Sequence, residues 1–183
     1  EIRLSLVGSE MCIRDRTKAA GDIAVGNAPE HYILRSSWVI GEGHNFVKTM
    51  MMLSNKVADP EDKLDQVTVV DDQYGRLTFT SDMAGAIFHL LDTHAPYGTY
   101  NLTGSGTVKS WADIAREVFD LTNGNGSKVK PISTDQYFAN ATSPVSPRPT
   151  NSALDLTKIT ETGYTPANWE ETLKTYVEKE LGR

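Results

Sequence analysis

Cysteine is nearly absent from this 183-residue chain, and the one present, Cys12, stands alone. No internal disulfide and no thiolate metal site is therefore available. Basic residues are also in deficit: 18 Lys and Arg face 24 Asp and Glu, for a net charge of −6 and a pI near 5.2. Nucleic acid and anionic membrane surfaces both call for clustered cations, so neither is expected as a partner. No apolar run reaches the 18 or so residues of a membrane span. The four histidines, His31, His44, His89 and His94, show no ligand spacing with carboxylates on one helix face, and no catalytic metal is expected. A complete Gly-x-Gly-x-x-Gly is missing too. The nearest approaches, Gly41-Glu42-Gly43 and Gly104-Ser105-Gly106, read as turns.

What is present is the composition of an ordinary globular domain, 39% hydrophobic and 23% charged. A cytoplasmic location is the simplest reading. Helix and strand signals alternate along the chain, which favours an α/β fold. Thr17 to Gly26 is Ala-rich and helix-compatible. His31 to Ile40 holds two β-rich runs and reads as a largely buried strand. Asn45 to Val57 sets Phe46, Met50 and Leu53 at helical spacing. Val67 to Val70 is a short β-branched strand opening into the polar loop Asp71-Asp72-Gln73-Tyr74-Gly75, at the kind of strand end where α/β proteins collect ligands.

Further on, Thr80-Ser81-Asp82 offers capping side chains for a helix through Ala84, Ile87, Phe88 and Leu91. Gly98 to Thr103 reads as a strand, and Ser110 with Asp113 approximates a capping box for a helix to about Leu121. Asn123 to Ser127 is a turn or loop, Pro144, Pro147 and Pro149 keep the next stretch extended, and Trp169 to Leu181 closes the chain as an amphipathic helix.

Three segments in one order carry the functional signal. They are Leu34-Arg35-Ser36-Ser37-Trp38-Val39-Ile40-Gly41, Val70-Asp71-Asp72-Gln73-Tyr74-Gly75-Arg76-Leu77-Thr78 and Arg148-Pro149-Thr150-Asn151-Ser152-Ala153-Leu154-Asp155. Together they resemble the dTDP-4-dehydrorhamnose reductases, a branch of the extended short-chain dehydrogenase/reductases acting on nucleotide sugars. The resemblance runs from about Thr17 to the C-terminus and covers the second half of such an enzyme. It implies the C-terminal half of an NAD(P)-binding Rossmann-type fold with a small α/β substrate-binding lobe. It also implies a nucleotide-sugar substrate, with NADPH or NADH as the reductant for a C4 ketone.

Residues 1–16 read differently. Ser5 to Arg16 resembles translated sequencing-adapter DNA, so 1–16 is expected to be a non-native segment and 17–183 the reductase part. The alternative is a natural strand, since Ile2, Leu4 and Leu6 alternate with charged or small residues. The segment holds three acidic and three basic residues, so the net charge is −6 with or without it.

In the family, a Tyr-x-x-x-Lys pair on one helix handles the proton, because a spacing of four puts both side chains on one face. A tyrosine with its usual pKa of about 10 matches neutral pH poorly, and a nearby lysine cation lowers it. By resemblance Lys18 is that lysine, catalytic and also holding the nicotinamide ribose. The tyrosine position is Arg14, so the chain as it stands lacks its general acid and is expected to be inactive by itself. On residue type alone, a lone lysine near a helix start is a solvated surface group.

The same resemblance assigns Ser36 and Ser37 to the cofactor, and Trp38, Gln73 and Arg76 to the substrate. Trp38 would stack an indole face on the sugar and donate its N–H, though a space-filling core tryptophan is the alternative. Arg35 is expected in a buried or half-buried ion pair. Gln73 and Arg76 suit the nucleotide phosphates, or else simply line a solvated loop. Leu77 replaces a proline usual in the family. In the Arg148–Asp155 segment, Ser152 and Asp155 can cap a short helix and Asn151 can hold a turn.

Three further expectations follow from the family. A homodimer is possible, as is an upstream fused epimerase domain, suggested by the insert Asp59 to Gln66. Half of a doubly wound sheet would expose a strand edge and apolar surface. A lost tyrosine would also suit a non-catalytic binding or regulatory subunit of the same fold, of the methionine adenosyltransferase β-subunit type. An epimerase or dehydratase of the same superfamily fits the three segments less well.

Overall fold

Parallel pairing dominates the strands, as the alternating helix and strand signals require. The structure, a computed structural model, describes residues 10–141 and 147–183. The expectations for Ile2, Leu4, Leu6 and Pro144 lie outside the described residues. Helix α1 (Glu10–Gly26) leads into β1 (Tyr32–Arg35), and β2 is Val39–Ile40. Helix α2 (Phe46–Ala58) is followed by β3 (Val67–Val70), β4 (Tyr74–Gly75) and β5 (Thr78–Phe79). Then come α3 (Thr80–Asp92), β6 (Gly98–Asn101), β7 (Lys109–Ser110), α4 (Trp111–Asn123) and β8 (Val129–Ile132). Two one-turn helices, α5 (Thr134–Tyr137) and α6 (Thr157–Thr160), precede α7 (Trp169–Glu180).

The strands form four two-stranded pairs. β1 with β6, β2 with β5 and β3 with β8 are parallel; β4 with β7 is antiparallel. Pro131 sits within β8 opposite Val69, a place open to proline because the β3–β8 pair has only two strands and leaves an outer edge.

Local chemistry sets the helix limits. Asn45 accepts from the Lys48 N–H at 3.0 Å to start α2, whose buried stripe is Val47, Met50, Met51 and Ser54. The expected capping box of α4 is formed in full: Ser110 accepts from the Asp113 N–H, and the Asp113 carboxylate accepts from the Ser110 N–H. Its far end stops at Gly124, with φ 68°, where a residue bearing a Cβ would be strained. Asn168 caps α7 over Glu170 and Glu171, and the two acids suit the positive helix start.

Two local expectations are corrected. The His31–Ile40 run is not one largely buried strand. It divides into β1 and β2 because Trp38 takes φ 51°, and neither Arg35 nor Val39 is covered. Nor do Thr80, Ser81 and Asp82 cap α3. The helix begins at Thr80 after Phe79, with no side-chain cap, and Asp82 instead accepts from the Tyr164 hydroxyl.

Two cores result. The larger joins α2, α4 and α7 to β2, β3, β5 and β8 through Ile40, Val47, Leu77, Phe79, Phe119 and Trp169, among others. The smaller, Ala86, Leu90, Ala95, Tyr100, Leu102 and Ile159, lies beneath α3, β6 and α6. Beside it, β1 has no strand on its second edge among the described residues, and Ile87, Phe88 and Leu91 of α3 face solvent.

Candidate functional site

Four of the residues singled out in the sequence, Arg35, Ser36, Ser37 and Trp38, lie at and just past the carboxyl end of β1. Arg35, its last residue, donates from Nε at 3.0 Å and from Nη2 at 2.7 Å to Asp22 of α1. The expected ion pair is therefore present, but it is exposed rather than buried, with side chains 58% and 36% accessible. Its value is positional. Lys18 lies one turn before Asp22 on the same helix face, about 6 Å further along the axis. The Arg35–Asp22 bond ties α1 to the end of β1, where Ser36 and Ser37 leave the strand. Lys18 itself is exposed. Arg14, on the next turn, is exposed and lies 3.9 Å from Asp15. Helix α1 passes from residue 16 to 17 without a break.

The Ser36–Trp38 connection is tied down on both sides. Ser37 Oγ donates to the Ser152 carbonyl at 2.9 Å, joining it to the Arg148–Asp155 segment. Thr78 donates from Oγ1 to the Ser37 carbonyl at 2.5 Å and from its backbone N–H to the Trp38 carbonyl at 3.1 Å. These bonds hold Trp38 in a left-handed conformation that costs a residue with a Cβ about 1–3 kcal/mol. Its indole stacks on Trp111 with ring centroids 3.8 Å apart and planes 22° from parallel. A Cβ on Gly75 would come within 2.9 Å of the same indole, so only glycine admits the ring there.

The Asp71–Arg76 loop is more occupied than its polarity suggests. Asp71 accepts from the buried Ser110 hydroxyl at 2.6 Å. Asp72 accepts from Thr134 through the backbone N–H at 2.9 Å and Oγ1 at 2.5 Å, and those bonds hold its carboxyl below the ordinary range. Gln73 Nε2 donates to the same Thr134 Oγ1 at 2.9 Å. Arg76 donates from Nε to the Gly106 carbonyl at 3.0 Å and from Nη1 to that of Leu154 at 3.4 Å. It thereby bridges the 105–107 turn and the 148–155 segment. An open groove of about 380 Å³ runs past it, lined also by Ser105, Asp155 and Thr157.

The Arg148–Asp155 segment docks as a strand-like strap. Tyr74 N–H donates to Thr150 O at 2.8 Å, and Ser152 N–H to Tyr74 O at 2.7 Å. Asn151 holds a turn by accepting from the Ala153 N–H at 2.9 Å, and Asp155 accepts from the Thr157 N–H at 2.9 Å at the start of α6. The Asp155 carboxyl lies below its ordinary value because Thr157 donates to it twice. Ser152 contributes its backbone rather than a cap.

A protein-family comparison covers nearly all of this architecture, matching the RmlD substrate binding domain over residues 11–181. The chain belongs to the RmlD substrate-binding family. A dTDP-4-dehydrorhamnose reductase from Aggregatibacter actinomycetemcomitans is 34% identical over 177 residues, covering 90% of this chain and 56% of the relative. Among solved structures, a dTDP-4-dehydrorhamnose reductase from Clostridium acetobutylicum superposes with a TM-score of 0.77 at 34% identity, over 91% of this chain and 55% of that one. The reductase from Bacillus anthracis, solved in complex with NADP, gives 0.74 at 30% identity over 91% and 55%. The chain thus spans about half the length of the relatives it matches. The expected α/β class and Rossmann-type kinship hold.

Ser36, Ser37 and Trp38 follow the end of β1, with Gly75 against Trp38, while Lys18 stands exposed on α1, the helix that Asp22 ties to Arg35. Gln73 is set apart on Thr134 and Arg76 on two backbone carbonyls. Sequence reasoning missed Trp111, Thr134 and Thr78, which position the predicted residues. Trp111 carries no local mark: it falls on the same helical stripe as Ala115 and Val118 and reads as core.

Proposed function

We propose that residues 17–183 are the sugar-nucleotide part of a reductase that converts the C4 ketone of dTDP-4-dehydro-L-rhamnose to dTDP-L-rhamnose, a precursor for cell-surface polysaccharide. The observation that supports this most is the joining of Ser36–Trp38 to the 148–155 strap by the Ser37–Ser152 bond. That contact unites two of the three segments that resemble the reductases, 115 residues apart in sequence.

Within this reading, Ser36 and Lys18 hold the nicotinamide end of the cofactor, NADPH or NADH, which supplies hydride when bound. Ser37 has its hydroxyl committed to the strap and acts by shaping the turn. Lys18, a cation on α1, would favour the phenolate of a tyrosine one helical turn earlier. Trp38 offers its indole to the hexose, with its N–H without a partner among the described residues. Gln73 and Arg76 carry the nucleotide phosphates with donors left over from their protein contacts. Arg76 uses two of five N–H groups.

No described helix is long and apolar enough to cross a membrane, and a cytoplasmic setting suits a pool of sugar nucleotide. Two assembly features belong to the same proposal: a homodimer, and an epimerase domain fused upstream.

One observation favours a second reading. The position four before Lys18, on the same face of α1, is Arg14, and a guanidinium does not exchange a proton near neutral pH. A chain with that pair would bind the nucleotide sugar without reducing it, as a regulatory subunit of this fold.

One experiment tests what the two readings share, and a second separates them. Tryptophan fluorescence titrated with dTDP-L-rhamnose tests binding by the chain itself; saturable quenching supports both readings, and none would overturn them. Source DNA sequenced upstream of the Thr17 codon then decides between them. A tyrosine codon four before Lys18 supports the reductase and makes residues 1–16 foreign; an encoded Arg14 supports the binding subunit. In a full-length enzyme carrying the tyrosine, Lys18→Ala is expected to remove most reductase activity, and full retention would count against the role given to Lys18.

A further inference from the structure

The backbone at Trp38 is locked, while its side chain is held by something else. Thr78 fixes the carbonyls of Ser37 and Trp38, and Ser152 fixes the Ser37 hydroxyl. What freedom remains lies in the two side-chain torsions that swing the indole. Trp111 removes it by stacking at 3.8 Å, and Phe46, tilted 55° with its centroid 4.5 Å from Trp111, braces Trp111 from the next helix. Gly75 closes another approach, since its missing Cβ is the space the Trp38 ring fills.

We infer that Trp111 is a positioning residue for sugar recognition: with Gly75, it sets the plane of the Trp38 indole and so decides how a hexose ring can lie against it. The inference rests on the reading of Trp38 as the sugar-contacting residue. Trp111 covers one face of the Trp38 indole and Gly75 packs against the fused-ring atoms, so a sugar has the part of the ring and its edge that these two leave open. A pre-set aromatic also loses little side-chain freedom on binding, which is why rigid indoles serve well as contact surfaces. The left-handed backbone at Trp38 fits this role, because strained conformations persist where surrounding contacts over-determine them.

The test uses the 183-residue chain at a dilution where light scattering shows it monomeric, with dTDP-L-rhamnose and dTDP as paired probes. Stacked indoles couple in circular dichroism, so Trp111→Ala and Trp38→Phe should each abolish the same couplet. Trp111→Ala is then expected to weaken dTDP-L-rhamnose binding roughly three- to tenfold. Binding of dTDP, which lacks the hexose, should not change, and Trp111→Phe should recover most of the loss. Equal binding of dTDP-L-rhamnose by Trp111→Ala and the parent chain overturns the inference, and so does an equal loss for both probes. If Trp111→Ala does not fold, Gly75→Ala must show the selective loss, since its methyl displaces the same indole; retention there also overturns it. A parent chain that binds neither probe removes the reading of Trp38, and this inference with it.

Discussion

The two cores of this chain are closed to very different degrees. Around α2, α4 and α7 the apolar face of each helix meets another element, and Val47, Ile114, Phe119, Trp169 and Val177 have no exposed surface. Around β1, β6 and α3 only six residues form the buried cluster, and the next residues on α3 lie open, with Phe88 65% and Leu91 52% accessible. The first region is a finished lobe. The second has the form of a sheet margin, with helices α1 and α3 beside a strand that, among the described residues, pairs on one side only. That contrast fits a chain about half as long as its relatives. It also teaches where sequence can be altered cheaply: the lobe is sensitive to volume, the margin to surface chemistry.

The comparison breaks most visibly at Trp169. Its ring is fully buried, its N–H donates to Thr107 O at 2.8 Å, and a Cβ on Gly104 would lie 2.6 Å from its own Cβ. Trp169→Ala is expected to cost about 3–5 kcal/mol in urea denaturation, enough to unfold many domains of this size. A loss under about 1 kcal/mol would show that the lobe is not closed as described.

A smaller effect is expected at the charged seam of the lobe. Lys109 bonds to Glu117 and, at 2.7 Å, to Glu170, so that β7, α4 and α7 share one cation. Burial works against that cation, yet the bonds to Glu117 and Glu170 carry its pKa above the ordinary lysine value. The Lys109 bond holds Glu170 below the ordinary carboxylate value. Lys109→Met leaves two partly buried carboxylates facing each other, at a cost of about 1–3 kcal/mol. The pH dependence has a definite sign. The Glu170 contribution is complete above the ordinary carboxylate pKa and fades as pH falls through the lowered one. The Lys109 contribution is complete below the ordinary lysine pKa and is lost as pH rises through the raised one. The difference between mutant and parent should therefore be flat from about pH 5 to pH 10 and shrink on either side.

Beside the smaller core, Tyr164 pins the segment between α6 and α7 to α3 by donating to the carboxylate and the carbonyl of Asp82. Burial first, then the hydrogen bond to Asp82 and its charge, push the phenol well above the ordinary tyrosine range, so it stays a donor throughout the stable pH range. Tyr164→Phe removes the donor from a carboxylate whose second oxygen, Oδ2, is already buried without a partner among the described residues. A loss of about 1–1.5 kcal/mol is expected in denaturation, and no change would mean that solvent reaches Asp82.

Legibility followed the range of the forces involved. Helices α2, α4 and α7 and strand β3 were readable because a cap, a repeating apolar stripe or a β-branched run lies within the segment itself. Asn45, Ser110 and Asn168 mark three helix starts in the local sequence. Strands β4, β5 and β7 have two residues each and exist only through partners tens of residues away, so nothing local announces them. The left-handed turn at Trp38 is imposed by Thr78 and Ser152 and split a run that reads as one strand. The site showed the same division. Lys18, Ser36, Ser37 and Trp38 are candidates only through segments that resemble a family, whereas Trp111, Thr134 and the carbonyls that take Arg76 are long-range contacts.

The margin gives the smallest change in stability and the sharpest test of the contrast. Ile87, Phe88 and Leu91 are exposed on α3, and Phe88 is the most open of them. If this face is a surface without a partner, Phe88→Lys should leave the denaturation midpoint within about 0.5 kcal/mol of the parent. It should also reduce self-association measured by sedimentation, since contiguous exposed apolar side chains beside a strand edge unpaired among the described residues promote contact between chains. A destabilisation above about 2 kcal/mol would mean that Phe88 is packed and the margin is closed after all. Unchanged association together with unchanged stability would shift attention to the β1 edge: His31 and Arg35 turn their carbonyls to β6, so the alternate residue Leu34 faces the other way, and Leu34→Pro, by removing that backbone donor, separates edge pairing from side-chain contact.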